Sequence, residues 1–341
     1  MARGLNGCRM AISVNTPEAA VAATPYLLGF PPRDSLVLLL LDEDDQLLVS
    51  MRVDLPPEPQ VDWLMALLRG IVDPAPASAV VLTYADTVGA AYAQAVGMWV
   101  MHVLLPISDV VDVILVAEGH YASLSMGHTE LDEGCELADI AAHPVAAACV
   151  AAGLTQAASR EELIEMLAPV DDEVTGHVRS LLRETRRGRQ PARTREALEE
   201  RALAILRSSQ DLEPADIAAV ARACRDVHVR DPLLTQLLED SMHESGVRVS
   251  HVRTRLVYCL IHTPGRLGGS VAATLALLSW ADGDGAAALV AADRAVASDP
   301  ANSLAPLIVQ ALQHGLPPDT WSTLTDDIPL DVLRGIRRRS A

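Results

Sequence analysis

The sequence contains no lysine, and all 27 of its basic residues are arginine. A P-loop depends on the lysine of its Gly-Lys-Ser/Thr motif, and pyridoxal or other Schiff-base chemistry depends on a lysine amine. Phosphoryl transfer of the protein-kinase type also uses a lysine on a strand. The composition therefore excludes these three classes of enzyme.

Aromatic residues are scarce at 3%, and Phe30 is the single phenylalanine, although half of the residues are hydrophobic. The core must then consist largely of alanine, leucine and valine, which favours closely packed helices over aromatic-rich β structure. A length of 341 residues is enough for two ordinary domains, each with its own core.

Cysteine is also infrequent, and no two cysteines form a Cys-x-x-Cys pair. The five cysteines are Cys8, Cys135, Cys149, Cys224 and Cys259. Their odd number and scattered positions give neither a disulfide framework nor a zinc knuckle, and they fit a reducing cytoplasm. Residues 1–20 lack the long apolar stretch of a signal peptide, which agrees with a cytoplasmic location.

One apolar run, Ala90–Ile107, approaches the length of a membrane span. It contains Gln94, His102 and Pro106, and its apolar residues recur at helical spacing, so it predicts a buried amphipathic helix and no membrane association. The formal net charge of −18 opposes binding of nucleic acid or anionic membranes by the chain as a whole.

Apolar segments predict an α/β domain of about five strands in a mixed sheet over residues 1–170. The predicted strands are Leu36–Leu41, Leu47–Leu55, Ala79–Tyr84, Val110–Ala117 and His120–Ser125. The first is apolar on both faces, as expected of a covered central strand, whereas the second alternates. Helices are predicted at Val61–Ile71 and Val88–Leu105, and an extended loop at Met126–His143.

The start of this domain has clear helix signals. Thr16 is a predicted N-cap, followed by proline and glutamate in the first turn. Pro25 predicts a break into two short helices, with Thr24 capping the second. Gly29 lies where a left-handed C-cap belongs.

From Pro144 onward the pattern is helical, and an all-α domain is predicted over residues 171–341. Proline and glycine mark the predicted joints. One such joint is Pro232, which is predicted to separate the helices Asp216–Asp226 and Pro232–His243.

Three groups of segments together resemble a known family. They are PYLLGFPPRDSLVLLLLD with RVDLP, HPVAAACVAAG with SREELIEMLAPV, and RDPLLTQLLED with the helical region that follows it. Over nearly its whole length the chain is similar to the actinobacterial domain-of-unknown-function 4192 family. The resemblance implies a cytoplasmic bacterial protein and no particular activity. Members often carry a cysteine- and proline-rich loop where this chain has Gly127–Asp139, and only Cys135 remains here.

A second resemblance lies within the first. Ser279–Asn302 is similar to the second half of a tetratricopeptide repeat, because Gly283 and Asp284 lead into alanines at close-packing positions. No second copy follows at the period of about 34 residues that such repeats have. The sequence therefore predicts one repeat-like helical hairpin in the C-terminal domain.

A polar cluster at the first two strands is the leading candidate for a ligand site. Arg33, Asp34 and Ser35 precede one strand, and Arg52 and Asp54 lie on one face of its predicted partner. They could form a pocket in which arginine holds a carboxylate or phosphate. They could equally form a turn cap and a structural ion pair.

Two further candidates, Tyr84 and Asp86, end a buried strand, where α/β proteins often place ligand groups. Asp86 could instead cap the next helix. No catalytic residue is identified, because the sequence has no Gly-x-Ser-x-Gly elbow and no Gly-x-Gly-x-x-Gly after a strand.

Two other residue groups have weaker functional interpretations. The first contains possible zinc ligands at His120, His128, Asp132, Glu133, Cys135 and His143. Their spacing matches no compact ligand pattern, so no metal and no cofactor are predicted.

The second group is the arginine-rich segment 179–201. It lacks interleaved aromatics and contains glutamates at helical pairing distance, so nucleic-acid binding is a weaker interpretation than a charged hinge or a partner-facing helix.

The sequence thus leads to ranked hypotheses rather than to a reaction. The leading one is a non-catalytic cytoplasmic module that binds a partner protein or itself. The alternative is a small-ligand-binding protein or enzyme that uses the polar cluster at the first hairpin. Whether the chain is an enzyme stays open at this point.

Overall fold

The computed structural model describes residues 13–56, 58, 76–140, 142–151, 154, 156–183, 192–241, 248–313, 316 and 328–335. Contacts divide the chain into a first unit within Arg9–Arg160 and a second unit within Glu161–Leu312, to which the segment 328–335 also belongs. The predicted helix Val61–Ile71 lies outside the described residues. The predicted domain bounds, 1–170 and 171–341, stay a prediction.

The first unit contains a six-stranded mixed sheet, which confirms the predicted α/β class. The strands are β1 (Ser35–Leu41), β2 (Leu47–Asp54), β3 (Ser78–Ala85), β4 (Asp109–Ala117), β5 (His120–Ser123) and β6 (Cys135–Glu136). Their order is β2-β1-β3-β4-β5-β6, and only β3 and β4 are parallel. The two-residue β6 falls in the predicted loop Met126–His143, because it is too short to show alternation.

Helices cover both faces of this sheet. They are α1 (Pro17–Leu28), α2 (Ala90–Leu104) and α3 (Pro144–Ala151). Odd-numbered residues of β1, such as Val37 and Leu39, share a core with α1 and α3, whereas Leu36 and Leu38 share a core with α2. This two-sided burial explains the continuous aliphatic run of β1. No helix of the described residues is both long and apolar enough to cross a bilayer.

The predicted break in α1 is wrong. A single helix runs from Pro17 to Leu28 with Pro25 inside it, capped by the Thr16 hydroxyl and by Gly29 at a φ of 76°. The Thr24 hydroxyl does not cap a second helix and instead donates to the Ala20 carbonyl oxygen at 2.7 Å. Burial of the alanine-rich face of α1 in the core favours the continuous helix over the break that proline prefers.

The second unit is helical, as predicted. Its helices are α4 (Arg160–Met166), α5 (Glu173–Arg183), α6 (Ala192–Arg207), α7 (Pro214–Arg225), α8 (Val227–Ser241), α9 (Val249–Ile261), α10 (Arg266–Ala281), α11 (Gly285–Ser298), α12 (Leu304–Gln313) and α13 (Leu330–Leu333). Pro232 is not a joint but lies inside α8. The adjacent Leu233 and Leu234 are completely buried, and this burial outweighs the backbone hydrogen bond that proline cannot make.

Helix α10 is the centre of this unit. Residues 268–280 of α10 are all buried, and the helix contacts α7, α8, α9 and α11. It forms an antiparallel hairpin with α11, and the likeness of this hairpin to a tetratricopeptide repeat stays a prediction. A Cβ atom built on Gly269 would stand 3.0 Å from the Ala295 carbonyl oxygen, so α11 approaches α10 more closely than most side chains would allow without a small shift.

Asp34 ties the start of β1 to the loop that leads into α2. Its backbone has a φ of 42°, a left-handed conformation that aspartate tolerates better than most residues. Its Oδ1 accepts the backbone N–H groups of Asp86, Thr87 and Val88 at 2.8, 2.9 and 3.0 Å. Its Oδ2 accepts the Thr87 hydroxyl at 2.5 Å. One carboxylate therefore fixes three successive backbone groups; we call this arrangement the Asp34 clamp.

The Asp34 clamp makes the fold sensitive to acid. Partial burial alone would raise the pKa of this carboxyl, but the hydrogen bonds from the Thr87 hydroxyl and the three backbone N–H groups lower it from 3.8 to about 2. Because the folded-state pKa lies below the unfolded-state value, the charged clamp stabilises the fold above about pH 4. This stabilisation is lost as the pH falls toward about 2.

We expect Gly269→Val to destabilise the second unit by about 1–3 kcal/mol, because the new side chain would push α11 away from α10. The matched control is Gly176→Val on α5, where a Cβ meets no atom within 4 Å. That variant should change the free energy of unfolding by less than about 0.5 kcal/mol. Urea denaturation measures both, and equal effects at the two positions would contradict close packing at Gly269.

Asp34→Asn keeps the shape and the tolerance of positive φ but removes the charge. We expect it to lower the free energy of unfolding by about 1 kcal/mol at pH 7, a modest value because solvent reaches the carboxylate. The difference from the wild type should shrink between about pH 4 and about pH 2, where the wild-type carboxyl itself becomes protonated. Urea unfolding at several pH values tests this, and a difference that stays constant over that range would disprove it.

Candidate functional site

A cleft of about 420 Å³ opens at one edge of the sheet in the first unit. Its lining comes from α1, from the turn before β1, from the ends of β3 and β4, and from the region around α3. The lining residues include Val21, Ala22, Pro25, Tyr26, Pro31, Pro32, Arg33, Tyr84, Asp86, Val116, Glu118, Leu137, Ile140, Ala146 and Gln156. The cleft therefore has largely apolar walls and a small number of polar groups. We call it the edge cleft.

Strand direction explains why these polar groups meet. Strands β3 and β4 are parallel, so both end at the same edge, and the antiparallel β1 begins there. Arg33, Asp86 and Glu118 lie just outside these three strand ends. In open α/β sheets, ligands bind outside the carboxyl ends of the parallel strands, where the strand connections change direction.

Tyr84 is the most buried polar side chain of the edge cleft, with 7% of its surface exposed. Its hydroxyl is buried, and none of the described residues stands in hydrogen-bonding geometry to it. Burial raises the pKa of this phenol above its ordinary value, and the nearby Thr24 hydroxyl opposes the rise only in part. Tyr84 thus contributes a neutral hydroxyl at physiological pH.

Arg33 and Asp86 face each other at the cleft, with 3.6 Å between Nη1 and Oδ2. Their side chains are 73% and 52% exposed. An exposed pair of this kind contributes about 0–1 kcal/mol to stability, so either partner can turn to a ligand at little cost.

Ser35, Arg52 and Asp54 do converge, as the predicted hairpin register requires, but they form a separate network. The Ser35 hydroxyl donates to the Arg33 carbonyl oxygen at 2.5 Å and accepts the Arg52 Nε–H at 2.8 Å. Arg52 also pairs with Asp54 at 2.5 Å and lies 5.8 Å from the centre of the Phe30 ring. None of the three lines the edge cleft. Their side-chain hydrogen bond and ion pair are with each other, which indicates a structural role in joining β1 to β2.

The predicted ligand residues therefore separate into two groups. Arg33, Tyr84 and Asp86 line the edge cleft, whereas Asp34 forms the clamp and the Ser35 network fastens the first hairpin. Glu118 was missed by sequence reasoning. The signal for it was the Glu118-Gly119 turn directly after β4, where both residues have positive φ, at 52° and 79°.

The six possible zinc ligands do not form a metal centre among the residues that the structure describes. His120, His128 and His143 each use Nδ1 in a backbone contact, at 3.1–3.3 Å. Glu133 accepts the Thr129 backbone N–H at 2.7 Å. Within the described ranges, no three His, Cys, Asp or Glu side chains are placed to hold an ion.

The described arginines of the segment 179–201 are mostly paired. Arg179, Arg195 and Arg201 each contact an aspartate, at 3.4, 2.7 and 3.2 Å. Three others, Arg186, Arg187 and Arg189, lie outside the described residues. Nucleic-acid binding through this segment stays a prediction, and the ion pairs leave fewer of its guanidinium groups for phosphates.

A second depression, of about 470 Å³, lies on the helical unit but is nearly flat. It is lined by Arg207, Arg248, Ser250, His251 and Thr254. Arg207 is held by Asp240 at 2.6 Å, and His251 Nε2 contacts the Ser208 carbonyl oxygen at 2.9 Å. Because this depression is nearly flat, whereas the edge cleft is concave with largely apolar walls, the edge cleft is the better candidate for a binding site.

Comparison with known proteins agrees with the family resemblance. A family model described as "Domain of unknown function (DUF4192)" matches residues 17–319. Neither the curated proteins nor the solved structures provide a match. The actinobacterial origin stays a prediction, because this match does not test it. Since the matched region covers most of the chain, the chain belongs to the DUF4192 family.

Proposed function

We propose that the first unit binds a small amphipathic molecule in the edge cleft. The observation that carries this proposal is the position of the edge cleft at the carboxyl ends of β3 and β4, with apolar walls and a partly exposed Arg33–Asp86 pair. Concave, mostly apolar sites with a small number of polar groups are typical of small-molecule binding.

The charges at the edge cleft favour a ligand with groups of both signs. Arg33 offers a planar guanidinium that pairs well with a carboxylate. Asp86 and Glu118 line the same cleft and repel a purely anionic molecule, but they attract an amine. A small zwitterion with an apolar body, such as a free amino acid with an aliphatic side chain, matches both the charges and the walls.

The raised pKa of the Tyr84 hydroxyl favours a binding role over a catalytic one. Burial raises the pKa of its hydroxyl, whereas a phenolic base or nucleophile requires a lowered value. The pKa of the Asp34 carboxyl is also strongly shifted, and its four hydrogen bonds keep it in a structural role. We therefore propose no reaction.

The ligand proposal is tested by thermal shift with free amino acids, aliphatic carboxylates and aliphatic amines. We expect aliphatic amino acids to raise the melting temperature of the wild type more than the aliphatic carboxylates or the aliphatic amines do, because only the amino acids carry both charges. Arg33→Ala should abolish this shift, because it removes the anion partner. Ala22→Trp should abolish it as well, because Ala22 lines the edge cleft and a larger side chain fills the space.

Arg52→Ala is the matched control for Arg33→Ala. It removes an arginine that is bound to Ser35 and Asp54 outside the edge cleft, so it should lower the melting temperature yet keep the ligand-dependent shift. A shift that survives in Arg33→Ala, or that disappears only in Arg52→Ala, would contradict the proposed site.

A second candidate function, protein–protein interaction, is supported by exposed apolar side chains at the start of the second unit. Ile164, Met166 and Val170 are 44%, 57% and 36% exposed within one short stretch. Exposed apolar patches are typical of interaction surfaces. A cytoplasmic location accompanies both proposals, and it is supported by the free thiols of Cys149, Cys224 and Cys259, all buried.

Point variants of these exposed residues test the interaction without removing any helix of the second unit. We expect Ile164→Glu/Met166→Glu to lose a partner, or self-association, that the wild type has. The measurements are quantitative co-purification and sedimentation velocity. The matched control is Leu307→Glu, which places the same charge at a 59% exposed leucine elsewhere in the unit. Identical results for the double variant and the wild type would disprove this surface.

A further inference from the structure

Two carboxylates among the described residues are buried, and they are satisfied in different ways. Asp112 and Glu199 are 5% and 1% exposed. Asp112 accepts neutral donors, among them the Ser123 and Ser125 hydroxyls at 2.6 and 3.0 Å. Glu199, on α6, is paired instead with a guanidinium from a distant part of the sequence, that of Arg334.

The Glu199–Arg334 contact is bidentate. Arg334 Nε donates to Glu199 Oε2 at 3.0 Å, and Nη2 donates to Oε1 at 2.7 Å. Gln236 adds a third donor to Oε1 at 2.6 Å. A planar guanidinium supplies two parallel N–H groups to one carboxylate, which an ammonium group cannot do. If the segment stayed in place without its arginine, Glu199 would be a buried carboxylate without a charged partner, which is strongly destabilising, so the closed site selects for arginine.

The segment that supplies Arg334 is otherwise loosely packed. It comprises residues 328–335, with the single-turn helix α13, and none of its residues is buried. Ile328 and Val332 are 39% and 55% exposed. Burial of apolar surface therefore contributes little to holding the segment, which relies on polar contacts such as the Arg334 ion pair.

His228 recognises the backbone on either side of Arg334. Its Nδ1 contacts the Leu333 carbonyl oxygen at 3.1 Å. Gly335 follows with a φ of 68°, and a Cβ atom there would stand 3.0 Å from the His228 ring. The position after the arginine thus favours glycine both for its backbone conformation and for space.

We propose that Glu199, Gln236 and His228 form a recognition site for an Arg-Gly turn, occupied in cis by the segment 328–335. The site requires a guanidinium, and no residue of the segment 328–335 is buried. Detachment also opens Glu199 to water, which replaces the lost donors. The segment therefore exchanges with a free peptide of the same sequence. This site lies in the second unit and does not depend on the ligand proposed for the edge cleft.

Fluorescence anisotropy with a labelled peptide of residues 328–335 (IPLDVLRG) tests the proposal on the full chain. We expect the Arg334→Gln chain to bind the peptide at least about tenfold more tightly than the wild type, whose own segment occupies the site. The Glu199→Gln/Arg334→Gln chain should not bind it. A control peptide with glutamine at position 334 should bind none of the three chains.

Equal binding to the Arg334→Gln chain and to the double variant would overturn the proposal, as would no binding to a folded Arg334→Gln chain. If Arg334→Gln loses its helical circular dichroism, hydrogen exchange of the wild type decides instead. Excess peptide should then speed exchange of the hydrogen-bonded amides of residues 332–335, and the control peptide should not. No change with either peptide would also overturn it.

Discussion

The Asp34 clamp is the interaction on which the edge of the sheet depends. Its carboxylate gathers the N–H groups of three successive residues, and this draws the loop after β3 against the start of β1. As a result Arg33 and Asp86 meet at the edge cleft, while Ser35 enters the sheet beside Arg52. The three consecutive residues Arg33, Asp34 and Ser35 thus have three different roles, as a cleft residue, a clamp and a strand anchor.

The sequence was most informative where burial alone decides the structure. The aliphatic run of β1 predicted a strand covered on both sides, and the prediction that β1 and β2 form a hairpin placed Ser35 near Asp54, with which it pairs. Both are confirmed because side-chain period and burial are local properties of a strand. Prediction failed at Pro25 and Pro232, where the local preference of proline for a helix end is weaker than burial of the adjacent leucines and alanines.

The candidate sites were harder to predict because their residues are distant in sequence. The edge cleft required the parallel pairing of β3 with β4, which no single segment encodes, so Glu118 was missed although its tight turn was visible. The Arg-Gly site joins Glu199 to Arg334, 135 residues apart. In both cases each residue has an ordinary local explanation. Glu118 could simply be an acidic residue of a tight turn, and Glu199 and Arg334 could be charged residues on the surfaces of helices. Only the tertiary contacts distinguish these positions from the many similar residues elsewhere in the chain.

The absence of lysine gives these contacts a common chemistry. With 45 acidic side chains and arginine as the only basic residue type besides histidine, charge pairing in this protein is mostly recognition of a carboxylate by a guanidinium. The strength of such a pair depends on its exposure. At Arg33 the pair is exposed, so exchange of Asp86 for the carboxylate of the proposed ligand would cost little. The side chain of Glu199, which pairs with Arg334, is only 2% exposed. A group that takes the place of Arg334 should therefore be another guanidinium. One type of ion pair, arginine with a carboxylate, therefore suits the proposed binding of a small solute at the sheet edge when it is exposed. When it is buried, it suits the proposed selection of a specific chain segment in the helical unit.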